Sequence, residues 1–170
     1  MAIREILTLP SPTLRRKARK VTTFGPQLQS LIDDMVETMR EAHGVGLAAP
    51  QVDVPLRVIV VEFGDEENEE APKKLYAVVN PEITRSSKET SAGTEGCLSI
   101  PGFVGEVERP DAVTIKGLNR HGKPFRLNAN GWLARIFQHE VDHLEGVLFI
   151  DRAEKVWKME EADAEVAAAD

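Results

Sequence analysis

The stretch that decides the fold is Gly131-Trp132-Leu133-Ala134-Arg135-Ile136-Phe137-Gln138-His139-Glu140-Val141-Asp142-His143-Leu144-Glu145-Gly146. Trp132, Ile136, His139 and His143 recur at steps of three and four residues, so the segment reads as a helix from about Gly131 to Glu145, with Gly146 able to cap its end. Inside it lies the pattern H-E-x-x-H. Two imidazoles four residues apart share one helical face and can meet a single cation, while Glu140 between them can reach a water activated there.

Outward from this helix, Leu28, Leu31, Ile32, Met35 and Met39 keep helical spacing between Gly25 and Arg40, with Pro26 suited to the first helical position and Gly44 just past the end. Leu56 to Phe63 and Leu75 to Val79 are apolar, β-branched runs that read as strands, separated by an acidic, solvated loop from Gly64 to Lys74. Ala112 to Leu118 and Phe125 to Leu127 flank Asn119 to Gly122, which carries hairpin turn chemistry and places His121 on a turn. His43 and His121 read as exposed and are not proposed ligands. A third helix is expected from about Ala153 through the tail. Strands clustered between helices make no regular βαβ units, so the class is α+β: small, mostly antiparallel sheets wrapped around the central H-E-x-x-H helix, with an N-terminal and a C-terminal helix. At 170 residues the expectation is one catalytic domain over 1–170, with about 152–170 as C-terminal helix and acidic tail.

Composition narrows the function classes. Hydrophobic residues at 42% and charged residues at 29% are an ordinary globular balance, so the chain can bury a core. The longest apolar stretches, Val58 to Val61 and Val147 to Ile150, fall far short of the roughly 20 residues of a membrane helix. The ion pair in Met-Ala-Ile-Arg-Glu-Ile interrupts the apolar run that a secretory signal needs, and the single Cys97 cannot form an internal disulfide; both fit a cytoplasmic protein. A net charge of -7 argues against a general grip on nucleic acid, so no DNA partner is expected and the basic cluster Arg15, Arg16, Lys17, Arg19, Lys20 reads as a solvated face.

Two histidines need a third ligand. The longer metallopeptidase pattern would put a third His where Phe149 stands, and Glu154, Glu160 and Glu161 fall in or near an acidic tail of no special pattern. Cys97 remains as a candidate, in Glu95-Gly96-Cys97-Leu98-Ser99, where a thiolate would suit zinc or ferrous iron. Ile136 and Trp132 lie one and two turns before His139 on the same side, where they could wall an apolar pocket as readily as fill a core. Val45 is a weaker candidate for that wall.

Three motifs in order, Gly44-Val45-Gly46-Leu47-Ala48-Ala49-Pro50-Gln51, Glu95-Gly96-Cys97-Leu98-Ser99 and Gln138-His139-Glu140-Val141-Asp142-His143-Leu144, resemble those of the peptide deformylases. The resemblance extends through Asn80-Pro81 and Gly122-Lys123-Pro124 to about Asp151. It implies a metal-dependent hydrolase that removes the N-formyl group from N-formylmethionine of nascent polypeptides and releases formate. The alternatives are an H-E-x-x-H metallopeptidase and a non-catalytic metal-bound interaction domain.

The resemblance makes Cys97, His139 and His143 the metal ligands and Glu140 the general base, and assigns the oxyanion donors to the Gln51 side-chain amide and the Leu98 backbone N–H. Alone, Gln51 would read as a surface amide. By the same resemblance Val45 and Gly46 belong to a segment that lines the cleft and pairs with an extended peptide, and Trp132 and Ile136 wall a methionine pocket. It favours ferrous iron (Fe2+), with Zn2+, Ni2+ or Co2+ as substitutes. Arg135 stands at the edge of the pocket face, where relatives often carry an apolar residue, and Val104 stands approximately where well-known members carry an Arg. A monomer is expected. Ribosome contact is the further partner implied, but Glu160, Glu161, Asp163 and Glu165 make the tail unlike a basic docking helix.

Overall fold

A computed structural model describes residues 2–64, 68 and 70–159. Its helices are α1 (Pro26–Glu41), α2 (Gly131–Leu144) and the single turn α3 (Phe149–Arg152). Its strands are β1 (Gly46–Ala48), β2 (Val58–Phe63), β3 (Lys74–Ser86), β4 (Thr90–Gly96), β5 (Phe103–Pro110), β6 (Ala112–Leu118), β7 (Pro124–Asn130) and β8 (Lys155–Lys158). They form a five-stranded sheet in the order β1-β2-β3-β6-β7 and a three-stranded sheet in the order β4-β5-β8, with every pairing antiparallel.

The α+β expectation is met, with α2 between the two sheets. Successive strand side chains point to opposite faces. Val58 and Val60 of β2 accordingly join the core under α1, with Leu31, Ile32, Met35 and Met39, while Ile59 and Val61 join the core under α2, with Ala134, Ile136 and Phe137. A strand buried on both faces has no polar alternation to show, which is why this run reads as continuously apolar. In β3, Asn80 takes a left-handed φ of 52° at an irregularity in the pairing with β6, and its side-chain amide bonds the Val21 backbone on both sides.

Several local expectations differ from the structure. α1 ends beside Gly44, but the residue with left-handed φ is His43, at 57°, while the Gly44 N–H closes onto the Met39 carbonyl. Gly146 does cap α2, with φ 74°. The apolar run Leu75 to Val79 continues to Ser86 as one long strand, because β6 offers a partner along that length. The polar, glycine-bearing β4 carried no strand signal.

The helix expected from about Ala153 is a correction: Lys155–Lys158 form strand β8, paired with Phe103–Glu106 of β5, and the helical turn of this region is α3, just before it. A β-branched Val156 and aromatic Trp157 beside an available sheet edge favour pairing over helix. Residues 160–170, and most of the acidic loop tract at 65–70, lie outside the described residues. Arg15, Arg16, Lys17, Arg19 and Lys20 are all exposed, with Arg15 and Lys17 paired to Asp151 and Glu145.

Candidate active site

Helix α2 carries His139, Glu140 and His143, and Cys97 follows directly on the last residue of β4. One ligand atom from each of Cys97, His139 and His143 lies within 4.8 Å of the others. The sulfur stands 3.4 Å from His143 Nε2. His139 Nδ1 is 3.0 Å from Glu95 Oε1, and donation to that carboxylate leaves Nε2 with its lone pair for a cation. Glu140 Oε1 is buried without a hydrogen-bond partner among the described residues. The set therefore fits a divalent ion: one thiolate and two imidazoles suit iron or zinc, and an unpartnered carboxylate oxygen lies beside them.

Glu95 is the hub behind this face. Besides His139 it takes Arg109 through both oxygens, at 2.6 and 2.9 Å, and Arg135 at 2.6 Å. Arg109 continues to Asp142 at 3.0 Å, which also receives Arg152. Burying these ions costs several kcal/mol each, so the cluster holds only because nearly every donor is used. Arg135 also donates to the carbonyls of Ser91 and Val107, tying α2 to β4 and β5. A Cβ at Gly93 would lie 2.7 Å from the Arg135 guanidinium carbon, so close backbone approach makes room for it. Arg135 is thus a buried anchor, 7% exposed, and it also lines the cleft, as its expected place at the pocket edge implies.

Electrostatics separate the carboxylates. Burial alone would raise the Glu95 pKa, but hydrogen bonds from Arg109 and His139 bring it down to about 2. Burial pushes Glu140 up to about 7, reinforced by the Glu95 charge. Among protein groups alone, burial opposes charge on His139, yet its hydrogen bonds to Cys97 and Glu95 hold its pKa well above the ordinary value. Burial and the neighbouring His139 and Arg109 charges hold His143 well below. A buried carboxyl whose pKa is raised is suited to taking up and giving back protons.

The first motif arrives from the other side. Gln51, 2% exposed rather than on the surface, accepts from the Ala48 N–H at 3.0 Å through its carbonyl oxygen. Its amide nitrogen lies 3.1 Å from Ser99 Oγ and 3.6 Å from the Cys97 sulfur. A Cβ at Gly46 would stand 2.5 Å from Glu140 Oε2, and one at Gly44 2.9 Å from the Leu98 side chain, so these glycines let the segment 44–46 pass close to Glu140 and Leu98. Val45, Gly46, Leu98, Trp132 and Ile136 all line a cleft of about 770 Å³ that also holds Cys97, His139 and Glu140. Ile136 is buried, and Trp132 is half-buried with its ring 5.4 Å from the Arg135 guanidinium carbon. His43 and His121 are exposed.

Arg109 and Ser99 had no role in the sequence reading. Glu95 was visible there only as a motif neighbour of Cys97. No local pattern singles out Arg109, whose partners come from β4 and α2.

The sequence model of the polypeptide deformylase family matches residues 3–159. A peptide deformylase of Natranaerobius thermophilus is 48% identical over 162 residues, covering 95% of this chain and 99% of that one. The crystal structure of the Thermotoga maritima peptide deformylase superposes with a TM-score of 0.84 at 40% identity, covering 91% of this chain and all of the other. The Acinetobacter baumannii peptide deformylase, solved with Met-Ala-Ser bound, gives 0.82 at 39% identity, with 89% and 98% covered. With the ligand trio, the glutamate and the glycine-lined cleft assembled on this fold, the chain belongs to the polypeptide deformylase family, metal-dependent hydrolases that take the N-formyl group from nascent polypeptides.

Proposed function

We propose that residues Cys97, His139 and His143 hold ferrous iron in a single catalytic domain that hydrolyses the formyl amide of N-formylmethionyl peptides. The observation that carries this reading is the convergence of the three ligand atoms within 4.8 Å, beside a buried, unpartnered Glu140 oxygen. When bound, the ion supplies Lewis acidity that activates water and polarises the formyl carbonyl. Glu140 takes the proton of the attacking water and hands it to the departing amine nitrogen as the C–N bond breaks and formate leaves. The Gln51 amide and the Leu98 N–H donate to the oxygen on which charge develops, a contribution typically worth about 2.7 to 4 kcal/mol per donor. Glu95 fixes the tautomer and orientation of His139.

Gly46 opens β1, which among the described residues is an edge strand, and Val45 directly precedes it, so an extended peptide can pair there by its backbone. Trp132 and Ile136 wall the methionine side chain. The working setting in this reading is a cytoplasmic monomer acting on peptides as they leave the ribosome; among the described residues no helix is long and apolar enough to cross a membrane.

The test is formate release from formyl-Met-Ala-Ser beside cleavage of an internal peptide bond, with and without a chelator. Formate release that chelation abolishes and ferrous iron restores is expected; internal cleavage, or no formate, contradicts the reading. For metal identity, protein prepared without oxygen should contain iron and lose activity over hours in air as iron and thiolate oxidise, while zinc or nickel forms stay constant. An iron form stable in air, or an anaerobic preparation holding only zinc, rejects iron.

A further inference from the structure

The two donors to the developing oxyanion, the Gln51 amide and the Leu98 N–H, come from different motifs, and a donor stabilises that charge only if it is already aimed when the charge forms. Ser99 is wholly buried and bonded to the supports of both.

A side-chain amide has two ends, and only one donates. Turned over, Gln51 would present its carbonyl oxygen to a developing anion. The Ala48 N–H decides which end is which, because a backbone N–H can only donate: it bonds Gln51 Oε1 at 3.0 Å and so assigns Nε2 to the other end. Nε2 carries two protons. One goes to Ser99 Oγ, at 3.1 Å. In a planar amide, fixing one N–H fixes the direction of the other, and the Cys97 sulfur lies 3.6 Å from Nε2 on the side of the reacting groups. Both side chains are buried, so the protein and not solvent sets this angle.

The second donor is held through the backbone around the same serine. The Ile100 N–H closes a turn onto the Cys97 carbonyl at 3.0 Å. In a trans peptide the carbonyl and the following N–H point in opposite directions, so pinning the Cys97 carbonyl also pins the Leu98 N–H. Ser99 sits inside that turn. The N-terminal segment then ties the two motifs together: the Leu7 N–H bonds the Gln51 carbonyl at 2.7 Å, and the Leu9 N–H bonds the Ser99 carbonyl at 3.1 Å.

We infer that Ser99 is a positioning residue for the hydrolysis: its hydroxyl aims the Gln51 amide at the oxyanion, and its place in the turn 97–100 keeps that amide in register with the Leu98 N–H. This rests on the deformylase reading. Gln51 and Leu98 line the cleft and Ser99 does not, so Ser99 acts through Gln51. A serine serving packing alone would matter whatever stands at position 51, whereas a positioning serine matters to turnover only while Gln51 is there.

The experiment is a double-mutant cycle on formate release from formyl-Met-Ala-Ser, with Ser99→Ala, Gln51→Met and the pair, each as the full chain loaded with metal. Ser99→Ala should lower kcat by about 10- to 100-fold, because a donor misplaced by about an ångström keeps little of its effect. KM and metal content should stay at the wild-type values, since the oxyanion forms only in the transition state. In the Gln51→Met background the same substitution should change kcat by less than about twofold. Ser99→Gly, which removes the same hydroxyl, carries the test where Ser99→Ala does not fold. An equal loss in both backgrounds, a wild-type kcat without the hydroxyl, or a fall in metal content that accounts for the lost turnover overturns the assignment, while formate release by the wild type still supports the deformylase reading. Absence of formate from the wild type overturns both.

Discussion

The five-stranded sheet meets α1 and α2 with Val58, Ile59, Val60 and Val61, all fully buried, whereas the three-stranded sheet meets α2 with Glu95, Arg109 and the close-approach glycine Gly93. On the first side, contact is apolar and non-directional; each buried side chain contributes about 1.5 to 3 kcal/mol by leaving water. On the second, contact is a set of directed hydrogen bonds from two guanidinium groups to one carboxylate, which in turn aims His139. Replacing such a cluster by apolar residues is often neutral or stabilising, so cohesion does not explain its presence. Orientation of His139, the proposed metal ligand, does. One face of α2 is thus held by packing and the other aimed by charge, and substitutions on the two sides should fail differently.

The largest difference is expected at Glu95. Glu95→Ala leaves Arg109 and Arg135 buried without their anion, and should cost about 3 to 5 kcal/mol in denaturant unfolding. It should also lower metal affinity by about 10- to 100-fold in a chelator competition. If metal affinity is unchanged, the polar side is structural only.

Acid sharpens the same contrast. The Glu95 carboxyl, held down to about 2 against an ordinary 4.5, gives stability that is fully present above about pH 4.5 and is lost as pH falls toward 2. That contribution is on the order of 3 kcal/mol. Unfolding free energies measured at pH 6 and pH 3 should therefore fall more steeply for the wild type than for Glu95→Gln. Parallel slopes would assign the acid sensitivity elsewhere.

Where the apolar side reaches the cleft, Trp132→Ala should reduce discrimination between formyl-Met and formyl-Ala peptides by roughly 1 to 3 kcal/mol. An unchanged ratio of kcat/KM in a folded variant returns Trp132 to the core. The smallest effect belongs to Ile59→Val, deep in the packed side, which should cost about 0.5 to 1.5 kcal/mol of stability and leave metal affinity untouched. A change in metal affinity there would erase the distinction between the two sides.

What the sequence revealed follows the same division. His139, Glu140 and His143 were legible because helical spacing is local, and β2 and the β6–β7 hairpin because their apolar runs and turn residues are local too. Cys97, 42 residues from His139, could be reached from the residues only as one candidate among several; the motif resemblance implied a ligand role, and the fold puts its sulfur beside His143. Gln51 read alone as a surface amide because nothing near it in the chain foretells burial against Ala48 and Ser99. Arg135 and Arg109 were illegible for a related reason: a buried arginine depends on partners from other strands and on a glycine that yields space, neither of which leaves a periodic trace. Lys155–Lys158, misread as helix, shows tertiary context deciding, since β8 exists because β5 presents an edge to pair with.

The central claim, that Cys97, His139 and His143 hold the ion while Glu140 moves the proton, is tested most directly by elemental analysis and turnover of two variants side by side. Glu140→Gln should retain about one metal ion per chain while formate release falls by about 100- to 10,000-fold, because the ligands are intact and the base is gone. Cys97→Ala should lose both metal and activity. Full metal occupancy in Cys97→Ala, or wild-type turnover in Glu140→Gln, would contradict the account.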